Sequence, residues 1–423
     1  MKNGRLLQVL MACIVSVFNL SFAQSTSRMV LFGTTETDFA ATVTSDPHGN
    51  FYVGGITEGT LPGAKGEGNL FIRAYTPNGQ DVWTRQFQGQ GADDGSAEIR
   101  GLTASWSEQH LYAVGMGSDC LDAQCITSQH AGFLLQYDLS GQMIWKRKIA
   151  VSDPTTERLE NISVAVVPGE NDIYVAMETS RPDIGDIHSS RKINILRFDR
   201  SGEALWSKEF PIGSAGHLNS IDADSNGNLI VFGSTSAALS GAPKVGSTDL
   251  FIRVYNAKGK EVWTRQFGSK GNDTAYSAKV DSRGNIYVMG QTLPNRPLTD
   301  QTESGLFIRK YTKEGGQAWT DVFPESDTAF PYALTVDGSG DIYFTAMRTE
   351  ALAGGFYVGK DTLLRVLDPD GRDRAQIPIP QASTVYGLSV NSEGFLAAVG
   401  VANAPEGQVP STDSFIYLVR PLQ

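Results

Sequence analysis

The sequence predicts an all-β fold: a seven-bladed β-propeller of four-stranded antiparallel blades, the last blade closed by the N-terminal strand. Three observations predict it: a repeat of 55 to 62 residues, one Trp position recurring within it, and a last unit short of one strand. At 423 residues the length alone reads as two or three domains. The repeat overrides that reading, because stacked copies build one continuous core.

The sharpest marker is a turn Gly, then Trp four residues on, then Phe or Ile four further: Gly79/Trp83/Phe87, Gly141/Trp145/Ile149, Gly202/Trp206/Phe210, Gly259/Trp263/Phe267 and Gly315/Trp319/Phe323. Gly371/Ala375/Ile379 is a degenerate copy. Side chains alternate along a strand, so the Trp and the residue four later share a face. Five of the six tryptophans fill this one position.

Before each marker runs an apolar strand, such as Phe71 to Tyr75, Phe133 to Tyr137, Phe251 to Tyr255 and Phe307 to Tyr311. Earlier still comes a turn and strand of the type Asp281-Ser-Arg-Gly284-Asn285-Ile286-Tyr287-Val288, with relatives at Asp46, Asp224, Asp337 and Asn391. Asp, Asn and Gly supply the side-chain bond and the positive φ that tight hairpins need. Adding an inner strand gives four strands per unit, the pattern of a propeller blade.

The ends complete the count. The last unit stops after its third strand, and Arg28 to Phe32 aligns with the Trp strand ending at Phe267. The N-terminal strand is therefore expected to fill the missing place and remove two open edges. The predicted blades are 34–87, 88–149, 150–210, 211–267, 268–323, 324–379, and 380–423 with 27–33.

With those residues in view, a family resemblance emerges. Phe267-Gly-Ser-Lys-Gly-Asn-Asp273, Val280-Asp-Ser-Arg-Gly-Asn-Ile-Tyr-Val-Met-Gly290, Phe307 to Tyr311 and Trp319 are similar to the bacterial SBBP-type β-propeller repeat. The resemblance runs over 27–423 and is sharpest in units one, four and five. It implies an exported bacterial propeller of the cell surface or surroundings, and it brings no catalytic residue set. The Gly-to-Trp spacing also resembles quinone-dependent dehydrogenases, in which a Trp of each blade locks onto its neighbour. The adjacent cysteine pair that some of them use is absent here, and their eight-bladed ring exceeds this count.

Composition narrows the partners. A net charge of −11 excludes nucleic acid, which needs a basic face to release counterions, and disfavours anionic lipid. The N-terminus reads as a signal peptide over 1–23: Lys2 and Arg5 precede the apolar stretch Leu6 to Leu20, and Ser21-Phe22-Ala23 places cleavage before Gln24. A competing lipoprotein reading puts a lipid on Cys13, although few apolar residues precede it. No segment reaches the ~20 apolar residues of a membrane span. Cys120 and Cys125, in one short loop, are expected to form a disulfide in an exported chain.

Function is expected on the face that carries the long, irregular loops, those entering the inner strands and those joining second to third strands. His130, His188 and His217 map to that face, as a metal or acid–base cluster or as unrelated loop histidines. Asp38, Asp94, Asp273 and Asp327 begin inner strands, where a carboxylate ring would hold Ca²⁺. The ordinary reading is that each caps its own loop's amides. No nucleophile–base set, phosphate loop or His-Glu-x-x-His is present.

The expectation is thus a monomeric, non-enzymatic binding or scaffold protein at the cell envelope, with a protein or glycan partner and no required cofactor. The alternative is a propeller enzyme of quinoprotein or lyase type, with its site at the channel mouth.

Overall fold

The computed structural model describes residues 27–87, 97–105, 107, 109–118, 130–151, 156–169, 172–181, 190–293, 305–323, 330–351, 357–380, 382–402 and 413–420. Asp94, Cys120, Cys125, His188, Asp327 and the predicted signal peptide lie outside these residues. The chain forms seven sheets, one per blade. Their inner strands are Asp38–Ser45, Glu98–Ser105, Arg158–Val166, His217–Ala223, Asn272–Val280, Phe330–Val336 and Ala382–Val390. Six blades follow sequence order outward to the marker strand. Blade one departs from the expected four: Ala64–Lys65 adds a short strand, parallel to Thr84 and Arg85.

The seventh blade closes as expected. Ser27–Phe32 pairs antiparallel with Ser414–Val419, from Ser27 opposite Val419 to Phe32 opposite Ser414. Phe32 is buried, its ring 5.8 Å from Phe71 and 6.0 Å from Tyr75 of blade one. The N-terminal strand thus completes one blade and packs against the next.

Two kinds of tight turn shape the opposite face. Asp281 accepts the backbone N–H groups of Arg283 and Asn285 at 2.9 and 2.8 Å and the Tyr287 hydroxyl at 3.1 Å. Gly284 takes φ +83° there, a conformation that suits glycine. Asp46, Asp224, Asp337 and Asn391 accept the N–H four residues on in the same way, and Tyr52 and Tyr343 also donate to Asp46 and Asp337. These bonds satisfy the turn's amides and leave this face compact.

The tryptophans fasten blade to blade. Trp83, Trp206, Trp263 and Trp319 donate their indole N–H to Leu139, Ala257, Lys313 and Pro369 carbonyls at 2.9 to 3.1 Å, and Trp145 reaches Arg200 at 3.3 Å. Each acceptor lies in the next blade's marker turn. The turn glycine is covered by the same ring: a Cβ on Gly315 would come within 2.8 Å of Trp263.

The repeated arginines behave differently from expectation. Their recurrence in the sequence, on strands that face neighbouring blades, predicts that Arg73, Arg253, Arg309 and Arg365 make hydrogen bonds or ion pairs between blades. Instead Arg73 and Arg365 pair with Asp81 and Asp373 of their own blades, and Arg253 and Arg309 donate to Thr264 and Thr320 at 2.9 and 2.7 Å. Their contact with the previous blade is cation–π, over Phe32, Phe210, Phe267 and Phe323 at 4.3 to 5.4 Å. A carboxylate or hydroxyl engages one edge of each guanidinium and leaves its flat face to stack, while Arg73 Nη1, Arg253 Nη2 and Arg365 Nε stay buried without a hydrogen-bond partner among the described residues.

The core is divided into seven apolar clusters, one in each seam between blades. Five seams carry a Trp. The seam from blade six to seven has Ala375 at that position, and the seam from seven to one has Arg28, whose guanidinium donates to Asn78 at 2.9 Å. Blade seven is therefore bounded by the two seams without a tryptophan.

Candidate functional site

Every inner strand carries a register shift, for example between Ala275 and Ser277 and between Val385 and Gly387. A bulge turns the extra residue away from the neighbouring blade, here toward the channel at the ring's centre. The bulge residues Ala41, Arg100, Asn219, Tyr276, Tyr332 and Tyr386 line the channel, whereas Glu160 of blade three stays outside that lining and accepts the Ser180 hydroxyl.

The loop-side half of the channel is a cavity of about 200 Å³. Tyr276, Tyr332 and Tyr386, in blades five to seven, occupy equivalent positions in it. Tyr386 is 37% exposed, with ring centroids 5.6 Å from Tyr332 and 4.5 Å from Phe39 of blade one. These rings form an arc across blades five, six, seven and one. Burial pushes the Tyr276 and Tyr332 hydroxyls up from their ordinary range, so both remain protonated donors. Tyr276 donates to Gln291 at 3.1 Å.

The facing wall is polar. Asn219, Ser163, Ser220 and Ser277 line it, with Arg100 and Lys279. Arg100 is held by Glu98 through two contacts of 2.8 Å. Lys279 makes no ion pair among the described residues. The Asn219 amide donates to the Ala275 carbonyl at 2.7 Å, while its oxygen is buried without a partner. No carboxylate lines this half among the described residues.

The turn-side half, about 370 Å³, is lined mainly by small residues and hydroxyls, including Thr44, Ser45, Thr103 and Ser389. Its three carboxylates are already engaged by backbone N–H groups: Asp222 by Ala223 and Val280 at 3.0 and 2.9 Å, Asp224 by Asn228 and Asp281 by Asn285, both at 2.8 Å.

The described residues among those singled out from the sequence, Asp38, Asp273, His130 and His217, fall outside this cavity. Asp38 accepts the Thr34 N–H, and its equivalent Asp273 accepts the Ser269 N–H at 2.7 Å and hydroxyl at 2.8 Å. Both cap their loops, as the ordinary reading has it, and they belong to blades one and five. Among the described residues no three His, Cys, Asp or Glu side chains gather closely enough to hold a metal ion.

His217 opens the inner strand of blade four, half exposed, with Nδ1 3.3 Å from Glu178 and 3.1 Å from Arg191. Glu178 is buried, pairs with Arg191 and accepts the Leu218 N–H at 2.9 Å. That group stitches blade three to blade four. His130 begins the third strand of blade two, opposite Ser118.

Sequence reasoning missed the tyrosine arc, yet a signal existed. Tyr276, Tyr332 and Tyr386 each stand five residues before a turn Asp or Asn, at Asp281, Asp337 and Asn391. Asn219 stands at the same distance from Asp224.

Ring, closure and tryptophan seams define the chain as a seven-bladed β-propeller. Residues 262–293 match the family model of SBBP, a beta-propeller repeat. An uncharacterized WD repeat-containing protein of Acanthamoeba polyphaga mimivirus is 23% identical over 66% of this chain and 21% of its own length. Regulatory protein FlaEY of Caulobacter vibrioides is 27% identical over 50% of this chain and 23% of its own. The chain thus spans less than a quarter of either relative. Among solved structures, a polysaccharide lyase superposes with a TM-score of 0.54 at 10% identity, covering 93% of this chain and 99% of the other. At that identity the likeness concerns the fold alone. No helix among the described residues is long and apolar enough to cross a membrane.

Proposed function

We propose that this propeller is an exported, non-enzymatic binding or scaffold protein that takes its ligand at the loop-side mouth of the central channel. One observation carries the reading: the arc of Tyr276, Tyr332, Tyr386 and Phe39 facing a wall of amide and hydroxyl groups. Concave sites of this composition bind, with apolar rings giving contact area and a few polar groups giving orientation. An enzyme of quinoprotein or lyase type would call for converging histidine, arginine and carboxylates. The arrangement of His217 with Glu178 and Arg191 stitches blades together instead, and fold alone does not choose a function.

The partner is a protein or glycan of the cell envelope. The basic, apolar and small-residue order of 1–23 supports export with cleavage before Gln24, and the loop cysteines Cys120 and Cys125 support a disulfide in the exported protein. The non-reduced mass of the protein from its own envelope tests both: free thiols or an uncleaved N-terminus would contradict them.

Capture from envelope extract tests the site. Wild-type protein should retain a component that a variant carrying both Tyr386→Ala and Tyr332→Ala does not. Equal retention by the two would remove the channel mouth as the binding site.

A further inference from the structure

We infer that the channel mouth binds an acidic carbohydrate, one sugar ring lodging against Tyr386 with its carboxylate or sulfate turned toward Lys279. The inference rests on the binding reading above and names its ligand class.

Charge comes first. The protein carries −11 overall, yet this cavity is lined by two cations and no carboxylate among the described residues. Glu98 neutralises Arg100 from outside the cavity. Lys279 has no such partner among the described residues, so its ammonium is the cation of this half left for a ligand, while Asp222, Asp224 and Asp281 lie in the turn-side half, each held by backbone amides. A ligand cation would be repelled from it despite the aromatic rings, which rules out an aromatic cage for a quaternary amine. A long polyphosphate chain would suffer from the acidic exterior. An anionic group on an otherwise neutral, hydroxylated molecule meets neither objection.

Shape and polarity select the rest. A space of about 200 Å³ lies below the roughly 300–1,000 Å³ of sites that enclose a drug-sized ligand. It suits a single ring unit, with further units running out over the loop face. A pyranose offers polarised C–H groups on its faces and alternating donors and acceptors around its rim. The faces match the exposed ring of Tyr386, whose negative π-surface attracts C–H dipoles. The rim matches the hydroxyls of Ser163, Ser220 and Ser277.

The test is calorimetric titration of the full exported chain with three probes of equal length: a neutral cello-oligosaccharide, the same chain ending in a single uronic acid, and the same chain bearing a single sulfate. At least one acidic probe should bind ten times more tightly than the neutral one, and its affinity should fall as salt rises. Which acidic probe binds better separates carboxylate from sulfate. Tyr386→Ala should weaken acidic binding at least tenfold, whereas Lys279→Met should erase the preference for the acidic probe over the neutral one. Tyr386→Leu serves if the alanine variant fails to fold.

Equal affinity for acidic and neutral probes, unaltered binding by the Lys279→Met protein, or no binding at millimolar probe would overturn the inference. Its failure is distinguishable from that of the binding reading. Should the captured envelope component depend on Tyr386 but vanish after protease treatment and survive periodate, the mouth binds a protein. The carbohydrate assignment alone would then fall.

Discussion

Gly315 carries two constraints at once. Its φ of +81° suits glycine, and Trp263 of the preceding blade lies where a Cβ would project. Gly315→Ala should therefore cost roughly 1–2 kcal/mol for the backbone alone, plus the displacement of Trp263. Trp263→Ala should cost about 2–4 kcal/mol, below a fully buried Trp because the ring is partly exposed. The two should not add. With the ring gone the new methyl has room, so the double variant should lie about 1 kcal/mol above the sum, measured by urea denaturation. Full additivity would mean that the ring does not press on the turn. Two carboxyls set opposite pH behaviour. The Ser201 hydroxyl and the Glu203 and Ser201 amides hold Asp199 below the ordinary carboxylate range. Its contribution is thus complete above about pH 4 and is lost as pH falls through the folded value. Burial, and then Asp38, push Asp413 up. Folding therefore disfavours its ionised form, a penalty present at neutral pH and lifted on acidification. Asp199→Ala should lower the melting temperature at pH 7 and lower it less as the pH falls, whereas Asp413→Asn should raise it at pH 7. Because Asp273 is engaged by Ser269, millimolar Ca²⁺ should leave melting unchanged, and an upward shift would contradict the capping assignment.

Among the elements, the closing strand Ser27–Phe32 matters most, since it pairs six residues with the far end of the chain. Phe32→Ala removes a buried ring and the surface on which Arg73 stacks, with an expected loss of about 3 kcal/mol. Removing residues 24–33 should leave the ring open and aggregation-prone, because it bares the Ser414–Val419 edge. A monodisperse, cooperatively melting truncation would refute the closure. This strand was legible in the sequence because Arg28 to Phe32 copies the alignment of a marker strand. The turns were legible because Asp281, Gly284 and their relatives each answer a local demand of the backbone. The arginines were misread because sequence shows which residues recur but not which neighbour satisfies them. Asp81 and Thr264 sit within reach only once the outer strand folds back. The channel was missed for a related reason. Tyr276, Tyr332 and Tyr386 reach it through bulges, and a bulge is a property of register that side-chain alternation conceals. Asp38 and Asp273 were found as candidates; local amides and hydroxyls engage both oxygens of Asp273 and one of Asp38, whose other oxygen is buried without a partner among the described residues.

For the whole molecule, seams differ more than blades. Five are fastened by a tryptophan, while those on either side of blade seven rely on apolar packing, on Arg28 and on bonds such as Asn391 to the Gly49 carbonyl at 2.8 Å. Blade seven should open before the others, so its strand Leu396–Ala402 should exchange amide protons faster than the equivalent Leu229–Thr235 of blade four. Hydrogen-exchange mass spectrometry would show this, and equal protection would contradict it. The arc Tyr332–Tyr386–Phe39 crosses both of these seams, so a ligand seated on it would slow exchange in blade seven selectively. The closing pair has a mechanical side as well. Ser27 and Val419 lie opposite one another at the same end of two antiparallel strands. A pull applied through both would load the cross-strand bonds singly, in sequence, from that end. The joint would part like a zipper rather than resist as a bolt, making the ring a low-force extensible element wherever it is tethered on both sides.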